Sequence, residues 1–514
     1  MEKYKIIGTD LKNKQAIVVL ICMWASSLFA QQWNWWPLTI NDTTAFADTI
    51  QYHAYVSALV SSGNKAPFLL RANQHGNIAQ TPYSSNFSAA VIKPATCPTR
   101  WWDYDFAVQL TGQTNTDPKR HWGDNIIYPT TMITGYFEQL YAHTRLYVVD
   151  ITAGIKPMVY GSQSRRLSMG GLLFSGNAHP IPRITIGIED YIPFPGLFGY
   201  FEIKGGITYG WLSEQDTYVY ESNIFVDDVK LHHKFIGLRV GGRLPVTLAY
   251  EMHHAAQWGG YKQPLYSGER VVDYGNTFAD FLNVFLFRSG GISMSDQLNA
   301  QGNHIGVQEL ALTYKQHDWQ VRAYWQSIFE DMSAAFIGFG MNAADGLWGL
   351  NIQQSKWPFV QEMTYEFLNT TSQSGSLHDK DGLVFAGRDS YYHNSAYPAG
   401  WTYFGAIIGN PYIQVKNSRV RAHLVGLSGD IYGFKYRAIA SYVDNYGVYQ
   451  NVVPDFTFDR FSNNTSLLLE VSRQFEKAWG LEFSVALAGD IGTQYGNSFG
   501  GYLRIAKTGL ITAY

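Results

Sequence analysis

Charge is what this 514-residue chain has least of: 15% of its residues are Asp, Glu, Lys or Arg, against about 25% in an average globular protein. The few charges nearly cancel, to a formal net charge of -3, which excludes the basic footprint of a nucleic-acid binder. Cysteine is almost missing, with 2 in the chain. No stretch approaches the ~18 consecutive apolar residues that a helical membrane span needs. Sustained helical periodicity is missing too. So are the nucleophile elbow, the zinc-protease histidine motif, the phosphate-cradling glycine loop and the Cys-x-x-Cys pair. The chain therefore reads as a non-enzyme, and nothing in it implies a cofactor. Glu330-Asp331 is no glycosidase pair, because neighbours on a strand cannot face one sugar from both sides.

What is present is aromatic. Tyr 35, Phe 30 and Trp 15 bring the aromatics to 16%, beside Gly 49. Few charges with many rings is the reverse of a disordered composition. At the N-terminus Lys3, Lys5, Lys12 and Lys14 precede an apolar run from Ala16 to Trp24 and a small-residue stretch ending in Ala30. That order is a secretory signal, with cleavage expected after Ala30, which makes residues 1–30 the signal peptide and 31–514 the mature domain. Ile21 is too bulky for Cys22 to mark a lipoprotein site. Cys97 is then the only cysteine left, so no internal disulfide can hold the fold.

The mature chain alternates. Side chains on a strand point to opposite faces in turn, and Trp102, Tyr104, Phe106, Val108 and Leu110 follow that rule against Asp103, Asp105, Ala107 and Gln109. The pattern returns at Phe201–Trp211, Val246–Met252, Leu310–Tyr314, Tyr432–Tyr442 and Leu481–Leu487. Between these segments, tight connections (Gly242–Pro245, Gln316–Asp318, Ser428–Asp430, Gln474–Trp479) alternate with long ones (Gln257–Asn303, Glu330–Asp345, Asn369–Arg388 and beyond, Asp444–Asn463). An up-and-down barrel places all tight turns at one rim and all long loops at the other. Outer-membrane barrels have that asymmetry, with short periplasmic turns and longer extracellular loops. About eighteen candidate strands fit between Ile50 and Thr508; Met132–Tyr141, which is also open to a helical reading, and the stretch around Trp401–Gly409 are the weakly patterned ones. The expected fold is all-β: a closed antiparallel transmembrane barrel in the outer membrane, ending on an aromatic, Tyr514.

The scarcity of charge follows from that fold. Lys or Arg at mid-depth on the lipid face costs roughly 2–4 kcal/mol, and only a closed sheet pairs every backbone group in hydrocarbon.

From Arg145 onward the chain resembles the capsule assembly Wzi family, in the longer form typical of Bacteroidetes. The resemblance rests on the order of several blocks. Tyr136–Tyr141 leads to Ala153-Gly154-Ile155-Lys156-Pro157 and then to Ser175–Pro182. Leu231-His232-His233-Lys234 and Gly241–Pro245 precede His254-Ala255-Ala256-Gln257-Trp258-Gly259-Gly260. Phe329-Glu330-Asp331, Asp345–Leu350, Asn369–Gly375 and Tyr391-Tyr392-His393-Asn394 running to Gly400–Gly405 complete it. The resemblance implies an outer-membrane lectin for capsular or exopolysaccharide that helps exported chains attach to the cell, with the capsule export machinery as a further partner and membrane lipid around it. Enteric members carry a periplasmic helical bundle; no clear helical region here matches it.

Strand parity, independently of family, puts the most carbohydrate-like residues at the long-loop rim. Trp258, Trp348, Tyr391, Tyr392, Trp401 and Tyr403 offer flat apolar faces for sugar C–H groups. Gln257, Glu330, Asp331, Gln373 and Asn394 offer short polar groups for hydroxyls. The alternative assigns the rings to a membrane girdle and the polar groups to pinning loops together. Adjacent histidines on a strand face opposite ways, so neither His232-His233 nor His253-His254 chelates one ion by itself. A turn at Arg243-Leu244 would set His233 opposite His254 to within one residue, for structural hydrogen bonding. Two functions remain open: a polysaccharide-binding barrel, and an outer-membrane porin or substrate-selective channel that the same alternation would produce.

Overall fold

The computed structural model describes residues 49–96, 101–117, 120–122, 125–127, 130–212, 224–242, 244–264, 271–291, 300–330, 344–373, 378–380, 383–386, 390–448 and 461–513. The signal segment, Cys97, Arg243, Asp331 and Tyr514 lie outside them.

Eighteen strands form one antiparallel sheet. They are β1 (Thr49–Ser61), β2 (Tyr83–Lys93), β3 (Trp102–Asp117), β4 (Thr130–Leu146), β5 (Val149–Ile155) and β6 (Pro182–Pro193). Next come β7 (Phe201–Leu212), β8 (Val229–Val240), β9 (Val246–Trp258), β10 (Asn303–Lys315), β11 (Trp319–Phe329) and β12 (Gly346–Gln354). The last are β13 (Glu362–Asn369), β14 (Val420–Ile431), β15 (Phe434–Asn445), β16 (Ser462–Phe475), β17 (Leu481–Gly492) and β18 (Ser498–Ala513). Each strand pairs with the next in the chain, and β18 returns to β1, from Thr49↔Ala513 to Ser61↔Gly500. Closure leaves no unpaired edge.

The period-two series predicted from sequence faces outward throughout. Val108, Leu110, Ile207, Leu248, Leu310, Leu312, Val485 and Leu487 are exposed, and Ile236, Leu238, Leu467 and Leu469 continue the belt on strands that the sequence pattern does not single out. Rings such as Trp102, Trp211, Trp319 and Trp479 flank this apolar belt, where amphipathic rings suit a headgroup layer. Met132–Tyr141 is strand, within β4. Its partner register passes from Gln109↔Gln139 to Leu110↔Phe137, so Glu138 is an extra residue, and the bulge re-aims its carboxylate into the lumen.

The rims alternate as expected, with one local correction. Ser428-Gly429-Asp430 lies inside β14, and the chain reverses at Tyr432-Gly433. Both residues have positive φ (55° and 82°), the geometry of a two-residue hairpin turn that matches the twist of the flanking strands. The Gly433 N–H donates to Asp430 Oδ1 at 2.7 Å. A second two-residue turn joins β4 to β5 at Tyr147-Val148.

The long connections do two different things. Three of them, residues 62–82 with the short helix α1 (Phe68–Arg71), 156–181 and 390–419, fold into the lumen. Leu69, Leu172, Phe174, Trp401 and Tyr412 share one contiguous buried cluster with inward side chains from all round the barrel, among them Leu59, Leu212, Ala255, Leu347, Ile439 and Ala486. The stretch around Trp401–Gly409 is thus no wall strand but a small hairpin inside the barrel, Thr402–Tyr403 against Ala406–Ile407. The connection from β9 to β10 instead carries helix α2 (Phe278–Leu286) over the outer face. A reciprocal Thr277–Asp280 capping box starts it. Phe281 and Phe285 pack on Tyr209, Trp258 and His232, leaving Phe278, Leu282 and Leu286 exposed at spacings of four residues. Among the described residues these two are the helices, and both belong to the long-loop side.

Candidate functional site

The luminal plug is held by carboxylates that the wall points inward. Glu366 on β13 accepts from Ser168 Oγ (2.6 Å), from the Met169 N–H (2.5 Å) and from the Tyr324 hydroxyl (2.5 Å). Glu309 on β10 accepts from the Ser162 N–H, Gln163 Nε2 and Gln326 Nε2 within 3.2 Å. Asp490 on β17 takes the Phe68 N–H at the start of α1, at 2.7 Å. Glu138 takes Asn77 Nδ2 (2.7 Å), Thr111 Oγ1 and the Tyr55 hydroxyl. A loop in a lumen must satisfy its backbone groups somewhere; Glu366, Glu309 and Asp490 each take a backbone N–H, and Glu138 holds the loop through the Asn77 side chain. Sequence reasoning missed them as anchors; each is an acidic residue in the buried set of a wall strand.

Most of the residues singled out from the sequence form the upper part of this plug. Trp401 is 0% exposed; its indole N–H donates to the Leu173 carbonyl at 2.8 Å, and its ring lies 5.7 Å from Phe174. Tyr392, fully buried, receives the Asn410 N–H on its hydroxyl (3.0 Å), donates that hydroxyl to the Leu172 carbonyl, and gives its own N–H to Glu330 at 2.7 Å. The Tyr391 hydroxyl donates to Asp345 Oδ2 at 2.9 Å. Asp345 also takes the N–H groups of Ser372 and Gln373 and the amide of Asn369, yet burial outweighs these donors and pushes its carboxyl up to about 6. Gln373 reaches Ser418 (3.1 Å), Gln257 holds the Gly400 carbonyl (3.1 Å), and Asn303 links Gln257 to Asn394. Tyr403 packs against Phe404 at the hairpin tip, where Phe404 stays exposed.

These positions correct the expectation of open stacking faces. Tyr391, Tyr392, Trp401, Gln257 and Gln373 are buried as plug framework, because a closed lumen must be filled and its polar atoms paired. Glu330 and Asn394 are half-buried. Trp348 and Trp258 are not part of the plug. Trp348 shares the outward series with Leu350 and stacks on Phe367 across the strand pair, a girdle position. Trp258 lies on the outer face under α2, beneath the Lys230 ammonium.

The register falls within one residue of the expected one, but His233 and His254 face opposite sides of the wall, so each pairs with a different histidine. His254 lies opposite Lys234, and His233 opposite Ala255. Inside, His233 Nε2 and His253 Nδ1 are 3.2 Å apart; outside, His254 Nε2 and His304 Nδ1 are 2.9 Å apart. No cluster of three or more metal-ligating groups occurs among the described residues.

Below the plug lies a polar chamber of about 990 Å³. The plug residues Gln74, Gly161 and Ser164–Arg166 roof it. Its walls run down to the short-turn rim at Gln316–Trp319 and Gln354-Ser355.

No protein-family model matches the chain, and no curated protein does. Among solved structures it is similar to Wzi, an outer membrane protein involved in group 1 capsule assembly in Escherichia coli and described as a carbohydrate-binding β-barrel. The TM-score is 0.54 and the identity 12%, over 97% of this chain and 89% of that one. OccK5 (OpdH) of Pseudomonas aeruginosa gives a TM-score of 0.44 at 10% identity, over 91% of this chain and 100% of that one. A BenF-like porin of Pseudomonas fluorescens gives 0.42 at 10%, over 91% and 100%. The fold is that of an outer-membrane β-barrel, Wzi-like in its strand number and closure.

Proposed function

We propose that the protein is a polysaccharide-binding barrel of the Wzi capsule-assembly type, which holds capsular or exopolysaccharide at the cell surface. Its short turns then face the periplasm and its long loops the exterior, as in this class of barrel. The observation that carries the reading is the plug: three long connections fill the lumen with an apolar layer tied to the wall. A porin needs a continuous polar path, whereas a surface lectin gains a rigid platform from such a filling. The fold likeness to a carbohydrate-binding barrel points the same way. Glu330 and Asn394, with Asp331 from the sequence reading, are the candidates for meeting sugar hydroxyls, while Tyr391, Tyr392, Trp401, Gln257 and Gln373 support the loops. Capsule export machinery on the periplasmic side would deliver the chains.

Two measurements on the purified full-length protein separate this reading from the channel alternative. Host polysaccharide immobilised on a sensor surface should retain the protein, and planar bilayers containing it should show no steady open-channel current. A stable ohmic conductance without polysaccharide binding would favour the channel.

A further inference from the structure

The chamber beneath the plug contains more polar chemistry than holding the plug requires. Seven Arg and Lys side chains line it against four carboxylates, and Arg437 already pairs with Glu470. At the centre of its roof is a tight turn in which Ser164 Oγ accepts from the Arg166 and Leu167 N–H groups at 3.2 and 3.1 Å. Leu167, fully buried, pins the turn to the plug. Arg165, at the tip, is directed into the chamber and is exposed there. No hydrogen bond joins its guanidinium to another described residue; Glu309 and Glu251 attract it only at longer range, and Arg322 repels it. A guanidinium held in a confined, cation-rich cavity with its donors unspent is a ready partner for an anion, which it meets through charge-assisted, bidentate hydrogen bonds.

The rest of the lining says what kind of anion. The side-chain amides of Gln74, Gln320 and Gln361 face the chamber and make no hydrogen bond to another described residue. Each offers a donor and an acceptor side by side, which matches the hydroxyls of a sugar better than a bare phosphate. The volume, about 990 Å³, is at the top of the roughly 300–1,000 Å³ range of ligand sites, enough for several sugar units. The open side is the short-turn rim.

We propose that this chamber binds an acidic oligosaccharide segment entering from the short-turn side, with Arg165 as the anion anchor and Gln74, Gln320 and Gln361 as hydroxyl partners. This rests on the polysaccharide reading and extends it with an inner site, where an exported chain is met before it reaches the surface.

Titration calorimetry on the full-length protein in detergent micelles tests it, with hexagalacturonate as the probe. Neutral maltohexaose and inorganic phosphate are the comparison ligands, and heat-modifiable gel migration certifies folded barrel. Hexagalacturonate should bind saturably and at least tenfold more tightly than either comparison ligand. Arg165→Glu should weaken it at least tenfold and Arg165→Lys by much less, and Gln320→Ala, which keeps every charge, should weaken it several-fold. Absence of hexagalacturonate binding to the wild type, equal binding by folded Arg165→Glu, or phosphate binding as tight as the sugar would each overturn the proposal. The polysaccharide reading fails separately, if deleting the gene leaves cell-bound polysaccharide unchanged; a deletion phenotype without hexagalacturonate binding removes only the chamber site.

Discussion

The indole N–H of Trp401 and the carbonyl of Leu173 stand 2.8 Å apart in the middle of the barrel, although 228 residues separate them in the chain. That hydrogen bond joins two of the three connections that fill the lumen. Because the wall is closed independently by strand pairing, plug and wall can be weakened separately.

Trp401→Ala should therefore loosen the plug without unfolding the wall. Removing a fully buried Trp costs about 3–5 kcal/mol, and the Leu173 carbonyl loses its donor as well. Trp401→Phe keeps most of the volume and should cost about 1–3 kcal/mol for the unmet polar group. Limited proteolysis of folded barrels should cut Trp401→Ala fastest within residues 156–181 and 390–419, Trp401→Phe more slowly and the wild type least. Identical cleavage patterns would mean that the contact does not hold the plug.

Glu366→Ala strands the buried donors of Met169 and Tyr324, at about 1–3 kcal/mol for each one left unmet, and frees the half-buried Ser168 hydroxyl. Flickering current should appear in planar bilayers with this variant, at normal heat-modifiability. Glu366→Gln retains one acceptor oxygen and should flicker less.

Acid should loosen the plug at its buried histidines, against the opposite pull of Asp345, whose raised carboxyl favours the docked state as pH falls. His75 and His179 lie in the plug connections, and each is held down at about 4, chiefly by burial, with Arg165 adding to the effect at His75. A histidine whose folded value is depressed supports the docked state fully above its ordinary value of 6.5, and loses that support as pH falls from there through about 4. Proteolytic protection of the plug should accordingly hold at pH 7.5 and decline by pH 4.5. His179→Gln should remove part of the decline; a plug tighter at the lower pH would contradict the assignment.

The two faces of the wall should answer differently to charge. Leu310→Arg places a cation on the apolar belt, at about 2–4 kcal/mol near mid-depth, and should lower the amount of folded barrel. Gln320→Arg points the same group into the aqueous chamber and should leave barrel levels near wild type. Quantifying the unheated, fast-migrating band for each variant checks this.

The barrel was legible because lipid imposes a period of two on every wall strand, and the outward series at Trp102–Leu110 or Leu481–Leu487 needs no other information. The plug was not, because a loop inside a lumen has no period. Trp401 and Tyr392 look alike in sequence whether they face solvent, lipid or core. They belong to a long connection, and that connection folds into the lumen and buries them. Trp348 could have been assigned by parity alone, since Leu350, two residues on, belongs to the outward series. The clearest unused signal was acidic: Glu366 sits between Tyr365 and Phe367, an ionisable group on the inward series of a membrane strand, and such a group needs partners from something inside the barrel.

The central claim concerns polysaccharide at the surface, and its most direct measurement is cell-bound against free polysaccharide in a strain lacking the gene, with and without a plasmid-borne copy. The account predicts that deletion shifts polysaccharide from cells to medium with total synthesis unchanged, and that the wild-type copy restores the bound fraction. Equal bound fractions in the deleted and complemented strains, with no second copy in the genome, would contradict it.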